Sequence, residues 1–393
     1  MQIPTDSAHF LDWRREHFPF FERKICLTHA SVSPLPRVAG EAIATYARQL
    51  SSEGQFDYLH EAIYKRCKER LADLLGHGAK PEEIAFAGST SHALGLVATS
   101  FPWKSGENCV VADGDFPANV VIWKNLQHTH GVECKMIPHR AAMDLTWDDI
   151  APLLDDKTRL VSLSAVNFLA GTTLDLQKIG SELKKRGIKF CVDAIQALGA
   201  VQLDLEQVDF VCADAHKWLL GPNGAAFMWA RSETLETMRP QILGWLATDT
   251  REKWFSYSTN PFPTAERFEP GARNYLGIVG MEAALAVLAE IGPKTIENRV
   301  VALRDYGAQK LEAIGAKLLW KPESSHRSGI FSFQIPGADL PAIYKQLDER
   351  FALSIRQDRN DAFWIRVSPH FMNCESDLDE LAEMISLDQL TKQ

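Results

Sequence analysis

Short apolar runs alternate along the chain with segments in which apolar residues recur every three or four positions. The first pattern predicts buried strands, and the second predicts amphipathic helices. Between residues 83 and 193 we predict strands at Glu83–Ala87, Cys109–Ala112, Val132–Ile137, Leu160–Ala165 and Lys189–Asp193. We predict helices at Ala118–Gln127, Trp147–Leu154 and Leu176–Arg186. This alternation predicts a mainly parallel sheet covered by helices, with ligands bound beyond the carboxyl ends of the strands.

Two further apolar runs, Val208–Ala213 and Ala225–Trp229, predict strands on either side of the turn sequence Gly221–Gly224. Lys217 stands just beyond the end of the first run. A lysine among apolar neighbours loses its charge when it is desolvated, and a neutral amine can attack a carbonyl group. The alternative interpretation is an ordinary surface lysine in a loop.

The two ends of the chain follow other patterns. A short amphipathic helix at His9–Phe18 predicts an N-terminal arm, and helices at Val38–Leu50 and Tyr58–Leu75 follow it. After a helix at Ile278–Ile291, the last hundred residues predict a small α+β domain. Its predicted elements are helices at 295–314, 339–350 and 377–387 and strands at 316–320, 329–335, 353–356 and 363–367. We expect an arm at 1–24, a large α/β domain at 25–264 and a small domain at 265–393.

Composition narrows the class of protein. The 393 residues carry a net charge of −9, which argues against nucleic acid or an anionic membrane as the main partner. The seven cysteines are odd in number and lack C-x-x-C spacing, so we expect reduced thiols and a cytoplasmic protein. The N-terminus lacks the pattern of a signal peptide, and no apolar stretch is long enough to span a membrane. We predict no metal site.

The chemistry is concentrated in two segments that follow neighbouring predicted strands. One is the D-A-x-Q sequence of Asp193 to Gln196, and the other is the A-H-K-W-L-x-G-P sequence around Lys217. Together they resemble the class V aminotransferase family of fold-type I pyridoxal phosphate enzymes, which includes cysteine desulfurases, selenocysteine lyases and isopenicillin N epimerase-like proteins. The resemblance implies a homodimer with pyridoxal 5'-phosphate bound as an imine to Lys217. It implies that Asp193 keeps the ring nitrogen protonated.

The same resemblance assigns further contacts to the cofactor. Thr90 and Ser91 open a helix after a strand, where hydroxyl and free N–H groups bind anions, and they are expected to hold the phosphate. A plain helix cap is the alternative there. Phe116 is expected to stack on the ring, with an ordinary core position as the alternative. Asn167 and Gln196 are expected to bind the phenolic oxygen, or else to be buried amides that serve loops.

Two positions depart from the family pattern near the phosphate. Asp214 stands where a small hydroxyl residue is usual, so we expect its carboxylate to point elsewhere and His216 to be a second phosphate ligand. Ala272 replaces the threonine of a segment that reaches the phosphate of the neighbouring subunit. A contact there would have to use the backbone N–H of Ala272.

For the substrate, Arg366 resembles the family arginine that binds the α-carboxylate in a bidentate fork, with a buried ion pair as its alternative. His29 lies in a turn near the substrate in the family, although a structural histidine fits equally well. Trp245 belongs to an aromatic segment that is expected to form part of the pocket wall. We therefore expect a small amino acid as substrate.

The reaction is the least determined part. Desulfurases carry their persulfide cysteine in a longer loop between the counterparts of Arg356 and Arg366, whereas this loop is short and lacks cysteine. Cys374 is expected to serve packing. Amino-group transfer is the expected reaction, with β- or γ-elimination by a lyase, or epimerisation, as alternatives. A pyridoxal-binding protein without catalysis and a nucleotide-binding enzyme are rivals, but no phosphate-loop or G-x-G-x-x-G sequence supports the second.

Overall fold

The computed structural model describes residues 2–4, 6–56, 60–139, 144–320 and 327–391. Within these ranges the helices are α1 Ser7–His17, α2 Arg37–Glu53, α3 Glu61–Leu75, α4 Thr90–Ser100, α5 Ala118–His130, α6 Trp147–Ile150, α7 Leu176–Lys185, α8 Ser232–Leu235, α9 Tyr275–Ile291, α10 Pro293–Ala313, α11 Leu340–Leu347 and α12 Glu375–Thr391. The strands are β1 Ile25–Cys26, β2 Ile84–Ala87, β3 Asn108–Ala112, β4 Glu133–Ile137, β5 Thr158–Ser164, β6 Lys189–Asp193, β7 Phe210–Asp214, β8 Ala226–Ala230, β9 Lys317–Leu318, β10 Phe331–Gln334, β11 Phe351–Ala352, β12 Ser354–Gln357 and β13 Phe363–Val367.

A sheet of seven strands in the described part forms the centre of the fold, in the order β2-β8-β7-β6-β5-β3-β4. Strands β3 to β7 pair in parallel, and β8 runs antiparallel to both β7 and β2. The strands read as continuous apolar runs because both faces of the sheet are covered, so side chains on either face leave water. The predicted α/β class with a mainly parallel sheet is confirmed.

The predicted elements keep or change their bounds for local reasons. Strand β6 ends at Asp193 as predicted, because the next residues turn, with the N–H of Ala197 donating to the carbonyl of Ala194. The predicted helix at 147–154 divides into α6 and a short 3-10 turn, since Pro152 lacks the N–H that would continue the helix. The predicted start of α3, Tyr58, lies outside the described residues.

The C-terminal part forms an antiparallel sheet in the order β12-β13-β10-β9, packed with α10, α11 and α12. Strand β1 pairs in parallel with β11, and Thr28 forms a bridge with Ser368. Residues 25–28 therefore pair with the C-terminal part and not with the large sheet, although we placed them in the large domain. The arm packs there too, because Arg14 of α1 forms a buried ion pair of 2.7 Å with Asp377.

Helix α9 is buried along most of its length and packs on α2 and α3. In the part of the chain that the structure covers, no single helix combines the length and apolar character needed to cross a membrane. Only α9 and α10 counted together meet those criteria, and the two helices meet at 84°.

Candidate active site

The carboxyl ends of β5, β6 and β7 lie side by side, because Ser164 pairs with Asp193 and Asp193 pairs with Cys212. Asp193 is therefore the last residue of a central strand, and it is only 2% exposed. Its Oδ1 accepts a hydrogen bond of 3.0 Å from the N–H of Ile195. Burial, together with the nearby carboxylate of Asp115, raises the pKa of Asp193 to about 7. A cation placed beside this carboxylate would stabilise its charged form.

Lys217 lies three residues beyond the end of β7, on a turn that leads back to the sheet. The N–H of Gly221 donates to the carbonyl of Ala215 at 2.8 Å and closes this turn. The lysine is 7% exposed, and its Nζ lies 5.4 Å from the centroid of the Phe116 ring. Burial lowers the pKa of Lys217 to about 8, although the charge of Asp193 opposes the shift. The amine is therefore far closer to its neutral form at physiological pH than an exposed lysine is.

This lowered pKa predicts how cofactor-free protein captures pyridoxal phosphate. The rate of covalent capture is expected to rise with pH through a midpoint near pH 8 and to level off well above that midpoint, because only the neutral amine attacks an aldehyde. Growth of the visible absorbance at a series of pH values measures this rate. Arg366→Gln should move the midpoint upward, since the charge of Arg366 contributes to the lowered pKa of Lys217. A midpoint near the ordinary lysine value of about 10.4 in the unsubstituted protein would contradict the assignment.

Phe116 is held at the mouth of this site. Its side chain is 43% exposed and meets Phe168 edge to face, with ring centroids 5.4 Å apart. Its N–H donates to Oδ1 of Asp115 at 2.7 Å, and the hydroxyl of Ser164 donates to the same oxygen. The half-exposed ring beside the Lys217 amine is therefore not an ordinary core residue, and its stacking on the cofactor ring stays a prediction.

The start of α4 offers an anion site. The helix is capped by Ser89, whose Oγ accepts from the N–H of His92 at 3.1 Å, so Thr90 and Ser91 are not needed as caps. Thr90 is 5% exposed, and its Oγ1 has no hydrogen-bond partner among the described residues. Ser91 is exposed. A buried hydroxyl without a partner at a helix N-terminus fits a bound phosphate.

The two amide side chains are already engaged. Nε2 of Gln196 donates to the carbonyl of Ala30 at 2.9 Å, and its Oε1 accepts from Nε1 of Trp218 at 3.0 Å. Gln196 therefore fixes the turn around Lys217 against the N-terminal loop, as a buried amide does. One N–H of its amide is left over, so its contact with the phenolic oxygen stays a prediction. Oδ1 of Asn167 accepts from the N–H groups of residues 169 and 170, as a loop-serving amide does. A cofactor contact of Asn167 stays a prediction.

Asp214 and Ala272, the two positions that depart from the family pattern near the expected phosphate site, have different surroundings. Oδ1 of Asp214 lies 2.9 Å from Nδ1 of His216, so this carboxylate points to the neighbouring imidazole. Asp214 is 5% exposed, and His216 is partly buried. Ala272 is exposed, in a loop that is anchored by an ion pair between Arg273 and Glu269. The phosphate contacts of His216 and Ala272 stay predictions.

Arg366 is 2% exposed on β13, and its guanidinium faces the loop after β1. It donates to the Oγ of Ser354 at 3.1 Å, to the carbonyl of Phe168 at 2.6 Å and to the Oγ of Ser31 at 2.5 Å. No carboxylate forms an ion pair with it in the described ranges, so the alternative of a buried ion pair is wrong. Burial and the nearby Arg356 lower the pKa of Arg366 to about 9.

Sequence reasoning missed Arg356 and Ser31 as members of this site. Arg356 donates to the Oγ of Ser31 at 2.9 Å. The available signal was the alternation of Ser354 and Arg356 on β12, which places two polar side chains on one face of a strand. Ser31 had no such signal, because it reaches the site only through the pairing of the N-terminal segment with the C-terminal part.

The other two predicted substrate residues differ in exposure. His29 is fully buried, with its ring against those of Trp218 and His370 and its Nδ1 2.7 Å from the Oγ of Ser33. This packing supports the alternative of a structural histidine, and a substrate contact of His29 stays a prediction. Trp245 is 60% exposed and lines an open cavity of about 410 Å³ at residues 245–258. Its place in the wall of the substrate pocket stays a prediction.

Comparisons with known proteins were consistent with this geometry. A family model described as aminotransferase class-V matches residues 25–381. A probable cysteine desulfurase from Methanothermobacter thermautotrophicus is 25% identical across 94% of this chain and 96% of its own length. A cysteine desulfurase from Yersinia pseudotuberculosis is 30% identical across 68% of this chain and 66% of its own length. The structure of the cystine C–S lyase C-DES with its reaction product cysteine persulfide shares the fold, with a TM-score of 0.84 at 22% identity, and the match covers 94% of this chain and 99% of that one.

Proposed function

This chain belongs to the class-V aminotransferase family and uses pyridoxal 5'-phosphate, and we propose that it cleaves the carbon–sulfur bond of a sulfur-containing amino acid. The site suits this cofactor, because it combines the unpartnered Thr90 hydroxyl, the buried Asp193 carboxyl and the Lys217 amine of lowered pKa. When bound, pyridoxal phosphate supplies an electron sink for the carbon–hydrogen bond that breaks at Cα.

Arg366, Asp193 and Lys217 have separate roles in the proposed reaction. Three of the N–H groups of Arg366 donate to protein atoms, and the remaining ones bind the α-carboxylate of the substrate. This contact orients the Cα–H bond. Asp193 provides the negative charge that holds a proton on the ring nitrogen. Lys217 takes the Cα proton, for which a pKa near the working pH is suited. The Cβ–S bond breaks with its electron pair on sulfur, and hydrolysis of the remaining fragment gives pyruvate and ammonia.

The connection between β12 and β13 is the observation that favours a lyase over a persulfide-forming desulfurase. Its five residues, 358–362, form a tight turn in which Oδ1 of Asp358 accepts from the N–H groups of Asn360 and Ala362. The turn contains no cysteine, whereas desulfurases carry their persulfide cysteine in a longer loop at this place. The loop therefore offers no cysteine that could accept the sulfur atom. In the proposed reaction this atom leaves as part of the leaving group of the substrate.

Cys374, the nearest cysteine in sequence, does not replace that acceptor. Its Sγ lies 3.7 Å from Nη1 of Arg14, and its N–H donates to Oδ2 of Asp377. Burial raises the pKa of the Cys374 thiol, so little thiolate forms at neutral pH. Its position between the arm and α12 supports a packing role.

The relatives also favour a lyase over the amino-group transfer that we expected from the sequence. Two curated relatives are named cysteine desulfurases, and a structural neighbour is a cystine C–S lyase. Amino-group transfer has support only as far as membership of the family.

The test is to incubate the holoenzyme with L-cystine, L-cysteine and L-alanine without added keto acid. A C–S lyase releases pyruvate, ammonia and a sulfur product over many turnovers while the cofactor stays in its aldehyde form. Cys374→Ser should release sulfur at the same rate, and loss of release in that variant would point to an enzyme-bound sulfur acceptor. One turnover of keto acid, with conversion of the cofactor to pyridoxamine phosphate, would reject the lyase in favour of transfer.

A further inference from the structure

Two arginine side chains converge on one hydroxyl beside the proposed site. Nη2 of Arg356 and Nη2 of Arg366 both donate to the Oγ of Ser31, at 2.9 and 2.5 Å. The two η nitrogens therefore lie no farther apart than the sum of these distances. Like charges so close repel each other, and the charge of Arg356 contributes to the lowered pKa of Arg366. A bound anion would relieve this repulsion.

The strand register fixes the pair. Arg366 pairs with Ser354 and Trp364 pairs with Arg356 on the antiparallel strands β12 and β13. Arg356 is thus two residues from the partner of Arg366, so both side chains lie on one face as diagonal neighbours. The convergence follows from the sheet and does not depend on the conformation of a loop.

Arg366 differs from the other buried arginines of this protein in the hydrogen-bond acceptors of its guanidinium group. Among the described residues, four arginines are more than nine-tenths buried: Arg14, Arg267, Arg304 and Arg366. Arg14 and Arg304 each form an ion pair with an aspartate, and Arg267 donates to four backbone carbonyls. Arg366, like Arg267, has no carboxylate partner, but its three neutral acceptors leave two of its five N–H groups unused.

Arg356, the other arginine on this face of the sheet, also forms no ion pair with a carboxylate in the described ranges. It is partly buried and donates to the carbonyl of Ile355 as well as to Ser31, which leaves three of its five N–H groups. Arg359 on the same hairpin behaves differently, because it is 57% exposed and forms an ion pair with Asp113. Arg356 and Arg366 thus both keep unused donors, and the charges of both act on Lys217.

We propose that Arg356 and Arg366 bind two anionic groups of one substrate, which is an amino acid whose side chain carries a carboxylate. Arg366 takes the α-carboxylate, since it is deeply buried and donates to the carbonyl of Phe168, whose ring packs on Phe116 beside Lys217. Arg356 takes the side-chain carboxylate. For the proposed C–S lyase, on which this substrate class rests, the preferred substrate is a thioether or disulfide of cysteine whose leaving group bears a carboxylate.

Binding of unreactive acids tests the pair without any turnover. The holoenzyme should bind succinate about tenfold or more tightly than succinamate, its mono-amide, because a charge-assisted hydrogen bond is lost with the second carboxylate. Calorimetry or a thermal-shift titration measures both ligands. In Arg356→Gln the preference should fall to about one, whereas Arg356→Lys should retain part of it. The matched control Arg359→Gln removes the same charge from the same hairpin and should keep the full preference.

Catalysis gives an independent readout that separates this inference from the proposed reaction. S-carboxymethyl-L-cysteine and S-carbamoylmethyl-L-cysteine have nearly the same shape and differ in the charge of the leaving group. We expect a kcat/KM about tenfold or more higher for the charged compound, and no such preference in Arg356→Gln. Cleavage of both at equal rates would overturn the Arg356 assignment and leave the lyase intact. A succinate preference that depends on Arg356, with neither thioether cleaved, would reject the lyase and support the two-arginine site. An unchanged succinate preference in Arg356→Gln would overturn the inference.

Discussion

Lys217→Ala is expected to lower turnover by at least about 10²- to 10⁴-fold, the range that a positioned general base contributes. The buried amine lies beside Phe116 and within the influence of Asp193 and Arg366, so no other described lysine has this setting. The variant should also lose the covalent link to its cofactor. Borohydride treatment followed by denaturation would leave pyridoxal phosphate attached to the unsubstituted protein and not to the variant.

Lys184→Ala serves as a control, because Lys184 is exposed on α7 and its removal leaves the site unchanged. A small exogenous amine should restore part of the turnover of Lys217→Ala, since it can take the Cα proton in place of the missing base. If borohydride still fixes the cofactor to the variant, another amine holds it and the assignment of Lys217 is wrong.

Asp193→Asn is expected to lower turnover by about 10²- to 10³-fold, as removal of one preorganised electrostatic group typically does. An amide is nearly the same size as the carboxyl but cannot provide the negative charge that keeps the ring nitrogen protonated. Asp193 is buried at the end of β6, so water cannot replace that charge. Cofactor affinity should change far less than turnover, because Lys217 still binds the cofactor covalently.

Equilibrium dialysis of the cofactor and steady-state turnover, measured on the same preparation of Asp193→Asn, separate the two effects. The Asp115→Asn variant is an informative comparison, because Asp115 lies near Asp193 and raises its pKa. Loss of the Asp115 carboxylate should lower the pKa of Asp193, and Asp193 should still form its ion pair with the ring nitrogen. Equal losses of affinity and turnover in Asp193→Asn would indicate a mainly structural role.

In the function that we propose, the short β12–β13 turn and the two arginines on these strands act together on specificity. The turn contains no cysteine that could accept sulfur, and the arginines provide positive charge on the adjoining strands. Such a site would suit a substrate whose leaving group is charged.

The sequence by itself determined the class of fold and the centre of the site. Alternating apolar runs placed Asp193 and Lys217 at the ends of neighbouring strands, and β6 and β7 do pair in parallel. Those features are local, because a strand's burial pattern and a turn's composition are carried by adjacent residues. The same holds for the start of α4, where Thr90 lies.

Only the tertiary structure decided which side chains remain available for a ligand. Ser31 and Arg366 are 335 positions apart, and they meet because β1 pairs with β11 and brings the N-terminal loop to the small sheet. The motif of Gln196 could not show that its amide also binds Trp218 and the carbonyl of Ala30, and only the fold shows that Trp245 lines an open cavity at residues 245–258. The lowered pKa of Lys217 also arises from burial and from charges on distant segments. Contacts between remote segments leave no periodic trace in the chain, so their partners and their energies emerge only when the fold is complete.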